Sequence, residues 1–346
     1  MNAMTVLGPV EPEALGVTLA HEHLLIDLRN QYTAPDGPER RRLGEQPLGP
    51  ANVGEVRRNP YAIRDNLLLD DVELAGREIN EFRKLGGATV VDCTSLGIGR
   101  SAQSLREIAR RTGLNVIAGC GYYTRDTHPV DMPGRSAEAL AEEMVRDLTV
   151  GIDGGDIRAG VIGEIGTSRT ILPDEEKNLR AAAIAHRKTG AAVYVHTYPW
   201  GRTGLEAAAI LTRGGVPPER IVICHIDVEI RLDYIRELLA AGVFVEFDDF
   251  GKEFFPDSAG REGFAGGAFA RDTERAAAVA QLVRQGYQRR ILVANDICLK
   301  VMLRQYGGRG YGHILNRVLP MLVREGIDPA AAHSLLTDNP ARLLCG

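Results

Sequence analysis

The sequence predicts an α/β fold, a closed (β/α)8 barrel of the TIM type in which each of eight parallel strands precedes a helix. Eight short runs rich in valine, isoleucine and alanine occur along the 346 residues, and stretches of helical period separate them. The runs are almost continuously apolar, as expected of parallel strands that are buried on both faces. The chain length also suits one such barrel, which typically takes about 250 residues or more.

Each element follows from this pattern in chain order. The apolar runs that predict strands are 17–26, 88–93, 115–120, 159–166, 191–196, 220–225, 242–247 and 290–296. The amphipathic stretches that predict helices lie near 70–85, 101–113, 136–150, 174–190, 204–213, 231–241, 271–286 and 312–325. We therefore expect one domain over residues 1–346.

Four further segments lie outside this repeat. Residues 4–18 predict a short hairpin before the barrel, and 338–344 predict a final helix. Residues 29–66 and 249–270 exceed the usual length of a connection, and loops of that size in compact domains often cover a functional site. Both follow a strand, so we expect them on one face of the barrel as active-site loops.

An open, doubly wound sheet is the alternative fold. No GxGxxG opens a helix after the first apolar run, and no GxxxxGK[ST] occurs in the chain. The nucleotide-binding versions of that fold therefore lack the loops that hold phosphate groups.

Composition excludes several classes of protein. The net charge is −5, so there is no overall basic character of the kind that nucleic-acid binding requires. Five cysteines without a CxxC pair argue against a disulfide framework and indicate a reducing compartment. No cationic stretch followed by an apolar run opens the chain, and no apolar segment is long enough to span a membrane. We therefore expect a cytoplasmic protein with neither nucleic-acid nor membrane partners.

Histidines gather at the ends of the predicted strands. His21 and His23 form HEH in the first strand, and residues two apart in a strand point to the same side. Both imidazoles can therefore face the barrel interior while Glu22 faces the helices. His196 ends the fifth strand and His225 ends the sixth.

Two carboxylates join these four imidazoles. Glu164 lies near the end of the fourth strand and Asp296 at the end of the eighth. Active sites of this fold are built at the carboxyl ends of the strands, so all six side chains converge. Imidazoles and carboxylates suit Zn²⁺ or a similar divalent ion, and six ligands exceed what one catalytic ion with open positions takes. The sequence predicts two ions that share a bridging carboxylate.

These motifs resemble those of the phosphotriesterase-related group of the amidohydrolase superfamily. The similar segments are LGPVEPEALGVTLAHEHLLID, VIGEIGTS, VYVHT, ICHID and LVANDICLK, and they extend from about residue 4 to 344. The resemblance implies a (β/α)8 barrel with a binuclear metal centre that activates water. Zn²⁺ is the expected metal, with Mn²⁺ or Co²⁺ as alternatives, and a homodimer is favoured.

The resemblance also implies a role for each ligand. His21, His23 and Asp296 would hold the more buried ion, and His196 and His225 the more exposed one. Other branches of the family bridge the ions with a carboxylated lysine, but the fourth strand here, GVIGEIGTS, contains no lysine. Glu164 resembles its replacement in the glutamate-bridged branch, which includes proteins labelled resiniferatoxin-binding.

The expected mechanism follows from the charges. A hydroxide held between two divalent ions is available near neutral pH, and the exposed ion can polarise a carbonyl or phosphoryl oxygen. Asp296 would be the catalytic proton acceptor. It could pass the proton on through Asp227 or Asp249, although helix capping or solvent exposure explains those two acids equally well.

Substrate contacts are expected at the mouth of the barrel. Lactonase relatives carry a tyrosine after the third strand, and this chain has two tyrosines there. The loop after the seventh strand, together with an arginine at the end of the first, could recognise an apolar group and an anion. The candidates are Tyr122, Tyr123, Lys252, Phe254, Phe255 and Arg29.

Three functions remain open at this point. The first is a metal-dependent hydrolase acting on a small-molecule ester, lactone or amide. The second is a phosphotriester or phosphodiester hydrolase. The third is a catalytically inactive protein of the same fold that binds a small ligand; the presence of all six ligand residues argues against it.

Overall fold

The eight predicted strands form one parallel sheet. The computed structural model describes residues 2–254 and 267–346. We label the barrel strands β1 to β8 in chain order. They are Val17–Glu22, Gly87–Asp92, Asn115–Cys120, Val161–Gly166, Val193–His196, Ile221–Ile223, Phe244–Phe247 and Ile291–Val293.

The sheet order follows the chain order from β1 to β8, and every neighbouring pair is parallel. Beyond β8, the backbone N–H of Asp296 donates to the carbonyl of His21, 3.3 Å away. The Glu22 carboxylate, which is fully buried, accepts hydrogen bonds from the backbone N–H groups of Asn295 and Ile297. The two edge strands therefore meet, which confirms the predicted barrel.

A helix follows each strand, as the periodicity predicts. We label these helices α1 to α8, and the last of them continues from a π-helical turn at Ile314–Val318. They are Val72–Lys84, Ala102–Thr112, Ala137–Thr149, Pro173–Thr189, Gly204–Arg213, Leu232–Ala240, Asp272–Arg284 and Leu319–Arg324.

The barrel strands are buried on both faces, which explains their continuous apolar character. Along β7, Val245 and Phe247 belong to the core cluster that includes the helix residues, whereas Phe244 belongs to a second cluster. Glu246 alternates with Val245 and is also fully buried. Successive side chains therefore serve two different cores, one under the helices and one inside the barrel.

The remaining segments cap the two ends of the barrel. The predicted hairpin is shorter than 4–18: Ala3–Thr5 pairs with Gly8–Val10, and a helical turn then leads into β1. The first long loop carries the short helices Pro38–Gly44 and Val53–Arg58. Of the second long loop, residues 255–266 lie outside the described residues. The predicted final helix is Asp338–Cys345.

Candidate metal centre

Six side chains that can bind a metal ion meet at the C-terminal ends of the strands. The end of β1 supplies two imidazoles, and β4 supplies a carboxylate. An imidazole ends β5, another follows β6, and a carboxylate follows β8. All six residues are at most 5 % exposed. They are His21, His23, Glu164, His196, His225 and Asp296.

Neighbouring side chains orient the two histidines of β1. His21 Nδ1 lies 3.1 Å from Oε2 of Glu246 on β7, and His23 Nδ1 lies 2.8 Å from the hydroxyl oxygen of Thr94. Each ring is therefore fixed through Nδ1 and is free to bind through Nε2. Metal-binding histidines are commonly held in this way by a carboxylate or another polar group on the second nitrogen.

Glu164 lies between two groups of imidazoles. Its Oε1 is 3.5 Å from His23 Nε2, whereas its Oε2 is 3.3 Å from His196 Nδ1 and 3.1 Å from His225 Nε2. Burial acts to raise the pKa of this carboxyl, but His21, His196 and His225 outweigh it and keep the pKa well below its ordinary value. The two oxygens of an ionised Glu164 thus face different imidazoles, which is the arrangement that a bridging ligand needs.

Asp296 faces both the histidines and a buried cation. Its Oδ1 is 3.1 Å from His23 Nε2, and its Oδ2 accepts a hydrogen bond from the ammonium of Lys252. The same ammonium lies 2.9 Å from Oδ1 of Asp249. Burial acts to lower the pKa of Lys252, but these two carboxylates raise it well above its ordinary value, so the side chain is a cation.

The unsatisfied atoms in this cluster fit a metal site. His21 Nε2 and Asp296 Oδ1 are buried, and neither forms a well-aligned hydrogen bond in the described part of the chain, although His23 Nε2 lies 3.1 Å from Asp296 Oδ1. Buried polar atoms are rarely left in this state. Two ligand atoms bound to one tetrahedral Zn²⁺ lie roughly 3.4 Å apart, because each is about 2.1 Å from the ion. The N···O distances from Glu164 and Asp296 to these histidines, 3.1–3.8 Å, bracket that value.

The donor atoms form two overlapping groups that share His21. Those of His21, His23 and Asp296 all lie within 4.8 Å of one another, and so do those of His21, Glu164 and His225. His196 is connected to the second group through Glu164. The residues present therefore fit two divalent ions.

Two of the six residues have unusual backbone geometry. His225 has φ of 59° and Asp296 has φ of 45°, in the left-handed region that non-glycine residues seldom adopt. Such conformations concentrate at functional sites, where the surrounding structure holds them in place. The backbone N–H of His225 donates to both carboxylate oxygens of Asp248, at 3.1 and 3.0 Å, and this contact supports the turn.

Asp227 lies behind the site, whereas Asp249 borders it. Asp227 is fully buried, and its Oδ2 lies 3.0 Å from Nε of Arg275, which is itself fully buried on α7. The backbone N–H of Asp249 donates to the same Asp227 oxygen. Asp249 lines the cavity above the cluster and contacts Lys252 there, whereas Asp227 does not line the cavity.

The two neighbouring tyrosines point in different directions. The Tyr123 hydroxyl lies 3.2 Å from His196 Nδ1 and lines the cavity. The Tyr122 hydroxyl donates to Glu143, 2.6 Å away, and accepts from Arg135, so it does not reach the cavity. Of the pair, Tyr123 therefore lines the cavity and Tyr122 does not.

The cavity wall above the cluster is mainly apolar. Phe254 and Lys252 line it, as the sequence suggested, whereas Phe255 lies outside the described residues. Arg29 is half exposed and forms an ion pair with Asp27 instead. The apolar residues of the wall are Ile26, Leu28, Pro199, Val228, Phe254, Phe269 and Leu299.

Sequence reasoning missed the acids that support the histidines. Glu246 and Asp248 are fully buried and contact His21 and His225, yet neither was selected from the sequence. The signal was present, because a glutamate inside the apolar run GVFVEF is costly to bury unless a partner satisfies it. Thr94 gave no comparable signal, since a hydroxyl after a strand is common.

Comparisons with known proteins agree with this geometry. The model of the phosphotriesterase family matches residues 1–344. N-acetyltaurine hydrolase from Tetraodon nigroviridis is 38% identical, and the match covers 99% of this chain and 97% of the relative. A phosphotriesterase-related protein from Nematostella vectensis is 35% identical, with 98% and 97% covered.

Solved structures give the same result. A resiniferatoxin-binding protein from Rhodobacter sphaeroides superimposes with a TM-score of 0.94 and 38% identity, over 99% of this chain and 94% of that one. The phosphotriesterase homology protein from Escherichia coli, complexed with phosphate in its active site, gives 0.79 and 31%, over 97% and 100%. A lactonase from Listeria monocytogenes gives 0.79 and 26%, over 99% of both chains.

Proposed function

This chain belongs to the phosphotriesterase family and is a metal-dependent hydrolase, and we propose that it cleaves the amide bond of a small N-acyl compound, with N-acetyltaurine as the first candidate. The observation that carries the proposal is the 38% identity to N-acetyltaurine hydrolase over almost the whole of both chains. Specificity depends on loops, and a match that includes both long loops is better evidence of substrate than the barrel alone.

We propose that two Zn²⁺ ions bind here, one to His21, His23 and Asp296 and the other to His196 and His225. Glu164 would bridge them, because each of its oxygens faces a different imidazole. Nitrogen and carboxylate donors without a thiolate suit Zn²⁺ and equally admit Mn²⁺ or Co²⁺. When bound, the two ions would supply an activated water molecule and polarise the substrate carbonyl.

The protein side chains divide the remaining work. Asp296 is the proposed proton acceptor, since one of its oxygens faces the histidines while Lys252 holds the other. The proton then passes to the nitrogen of the leaving amine, and hydrolysis releases a carboxylate and an amine. Asp249 contacts the Lys252 ammonium and is the better placed of the two relay candidates. Asp227 contacts Asp249 only by accepting a hydrogen bond from its backbone N–H.

Substrate contacts are proposed from the cavity lining. Tyr123 and Lys252 supply polar groups, and Tyr122 is set aside as a contact because its hydroxyl bonds to Glu143. N-acetyltaurine carries a sulfonate, but the Lys252 ammonium is already paired with the carboxylates of Asp296 and Asp249, so Lys252 is proposed as a hydrogen-bond donor rather than as a charge complement. The apolar wall would exclude water around the acetyl group.

Phosphoester hydrolysis is the second candidate, and the phosphate in the active site of the Escherichia coli relative favours it. A lactone is the third, from the similarity to the Listeria monocytogenes lactonase. All six ligand-type residues are present in this chain, which argues against an inactive binding protein.

A substrate screen tests the proposal. The zinc-loaded protein is assayed on N-acetyltaurine, N-acetylglycine, a γ-lactone and a phosphotriester, and Glu164→Gln serves as the control for metal-dependent turnover. We expect the highest kcat/KM on an N-acyl compound. A kcat/KM at least tenfold higher on the lactone or the phosphotriester would refute amide hydrolysis, whereas no turnover of any substrate would refute an enzyme.

Compartment, assembly and domain organisation are also proposals. The five cysteines all lie buried in the described part of the chain and form no disulfide with one another, which supports a reducing compartment such as the cytoplasm. Within the described residues, no helix is both long and apolar enough to cross a membrane. We also propose that residues 1–346 form a single domain. The homodimer stays a prediction that light scattering on the purified chain can check.

A further inference from the structure

Arginine side chains gather at the end of the barrel opposite the candidate metal centre. They surround an open cavity where β6 and β8 begin, because one arginine immediately precedes each of these strands. The four arginines that line the cavity are Arg220, Arg289, Arg290 and Arg342. Active sites of this fold occupy the other face, so this cavity is independent of the proposed hydrolysis.

Arg220 is a buried cation with neutral partners. Its residue is only 7 % exposed, and its two terminal nitrogens donate to the carbonyls of Leu343 and Gly190, at 2.5 and 2.6 Å. Carbonyl oxygens satisfy the N–H groups but leave the positive charge uncompensated. Burying a charge in this way is costly unless an anion is near.

The other three arginines also lack acidic partners. Arg342 donates to the carbonyl of Arg289 and to Oδ1 of Asn339, at 3.1 and 3.0 Å. The guanidinium of Arg290 lies 5.9 Å from the ring centre of Phe244, at the start of β7. Over the described ranges 2–254 and 267–346, no carboxylate oxygen lies within 4.0 Å of any of the four guanidinium groups.

The charges of these arginines act on one another. Burial lowers the pKa of Arg342, the positive charges of Arg289 and Arg290 lower it further, and Asp338 opposes them. Burial likewise lowers the pKa of Arg220, with Glu219 opposing. Glu219 also lines the cavity, so four guanidinium groups face one acidic side chain there, and the region is locally cationic on a chain whose net charge is −5.

We propose that this cavity is a binding site for a doubly charged tetrahedral oxyanion, such as the phosphate group of a small metabolite. Guanidinium groups bind such oxyanions with paired, charge-assisted hydrogen bonds, and arginine is over-represented at sites that recognise phosphate. The guanidinium groups of Arg289 and Arg290 supply N–H donors that no described side chain uses. Arg220, whose terminal nitrogens already bond to two carbonyls, adds positive charge at the buried end of the cavity.

Binding at this place would join the starts of two strands. Arg220 precedes β6 and Arg290 precedes β8, and an anion held between them cross-links segments that are far apart in the chain. A ligand that binds only the folded protein raises its stability in proportion to the logarithm of ligand concentration. We therefore expect phosphate to raise the melting temperature.

The experiment uses the full zinc-loaded chain and inorganic phosphate, titrated by calorimetry at constant ionic strength. A metal centre also binds phosphate, so wild type is expected to show more than one phosphate-binding event. The test is whether one of these events is lost when the cavity is altered. The variant is Arg289→Met with Arg290→Met. The matched control is Arg83→Met with Arg213→Met, which removes two exposed arginines from α1 and α5.

We expect the affinity for phosphate at one of the binding events to fall at least tenfold in the cavity variant, so that this event is no longer detected. The control variant should bind phosphate like wild type. Acetate at equal ionic strength should bind at least tenfold more weakly than phosphate. Equal phosphate binding by both double variants, or equal binding of acetate and phosphate, would overturn the proposal. The single variant Arg289→Met, at an exposed position, repeats the test if the double variant fails to fold.

Discussion

Arg275 on α7 should be among the most costly residues of the chain to replace. It is fully buried, and its guanidinium lies 3.0 Å from Asp227 and 3.3 Å from Asp272 while it also donates to the carbonyl of Lys252. Arg275→Met keeps much of the volume but leaves Asp227 buried without its cation and removes one of the two arginines beside Asp272, which keeps its contacts with Arg309 and His313. Breaking a buried ion pair on one side typically costs about 3–5 kcal/mol.

This free energy corresponds to a modest but measurable change in melting temperature. Unfolding entropy is about 2.1 cal/mol/K per residue, so a chain of this length should lose roughly 4–7 °C. Asp227→Asn in the Arg275→Met background removes the uncompensated charge and should recover part of the loss. The assay is thermal unfolding of the metal-loaded proteins at one scan rate. An Arg275→Met variant that melts within 1 °C of wild type would show that this buried ion pair does not stabilise the fold.

The site itself yields four more predictions. Asp296→Asn should lower kcat at least about 10²-fold while much of the metal stays bound, since it removes the proton acceptor but keeps an oxygen donor; equal turnover at matched metal content would point to Asp249. Glu164→Gln should lower both metal content and activity, because an amide cannot offer two anionic oxygens; wild-type values for both would disprove the bridge. Tyr123→Phe should lower activity less than Glu164→Gln, and a larger loss would give the hydroxyl a catalytic role. Removing metal with a chelator should lower the melting temperature and zinc should restore it, whereas an unchanged value would show that the cluster is stable without ions.

The barrel could be predicted because its signals are local. Each strand is an apolar run of a few residues followed by a helical period, and the polar ligand residues occur where those runs end, as at His196 and His225. The fold places all such ends on one face, so the convergence of six ligand residues follows from the topology without knowledge of any contact.

The contacts between distant segments could not be predicted in this way. The choice between Tyr122 and Tyr123 depends on the rotation of an irregular segment after β3, which periodicity does not specify. The partnership of Asp227 with Arg275 joins a strand end to a helix 48 residues later, and nothing in either local sequence indicates it. Glu246 was detectable as a buried acid, but its partner His21 lies 225 positions away in the chain.

Zinc titration of turnover measures how many metal ions the hydrolysis requires. The chain is stripped of metal, increasing zinc is added, and hydrolysis of N-acetyltaurine is measured as released taurine. We predict that activity rises to a plateau at two equivalents of zinc per chain. A plateau at one equivalent, or taurine release that is the same without metal, would contradict a binuclear metal-dependent hydrolase.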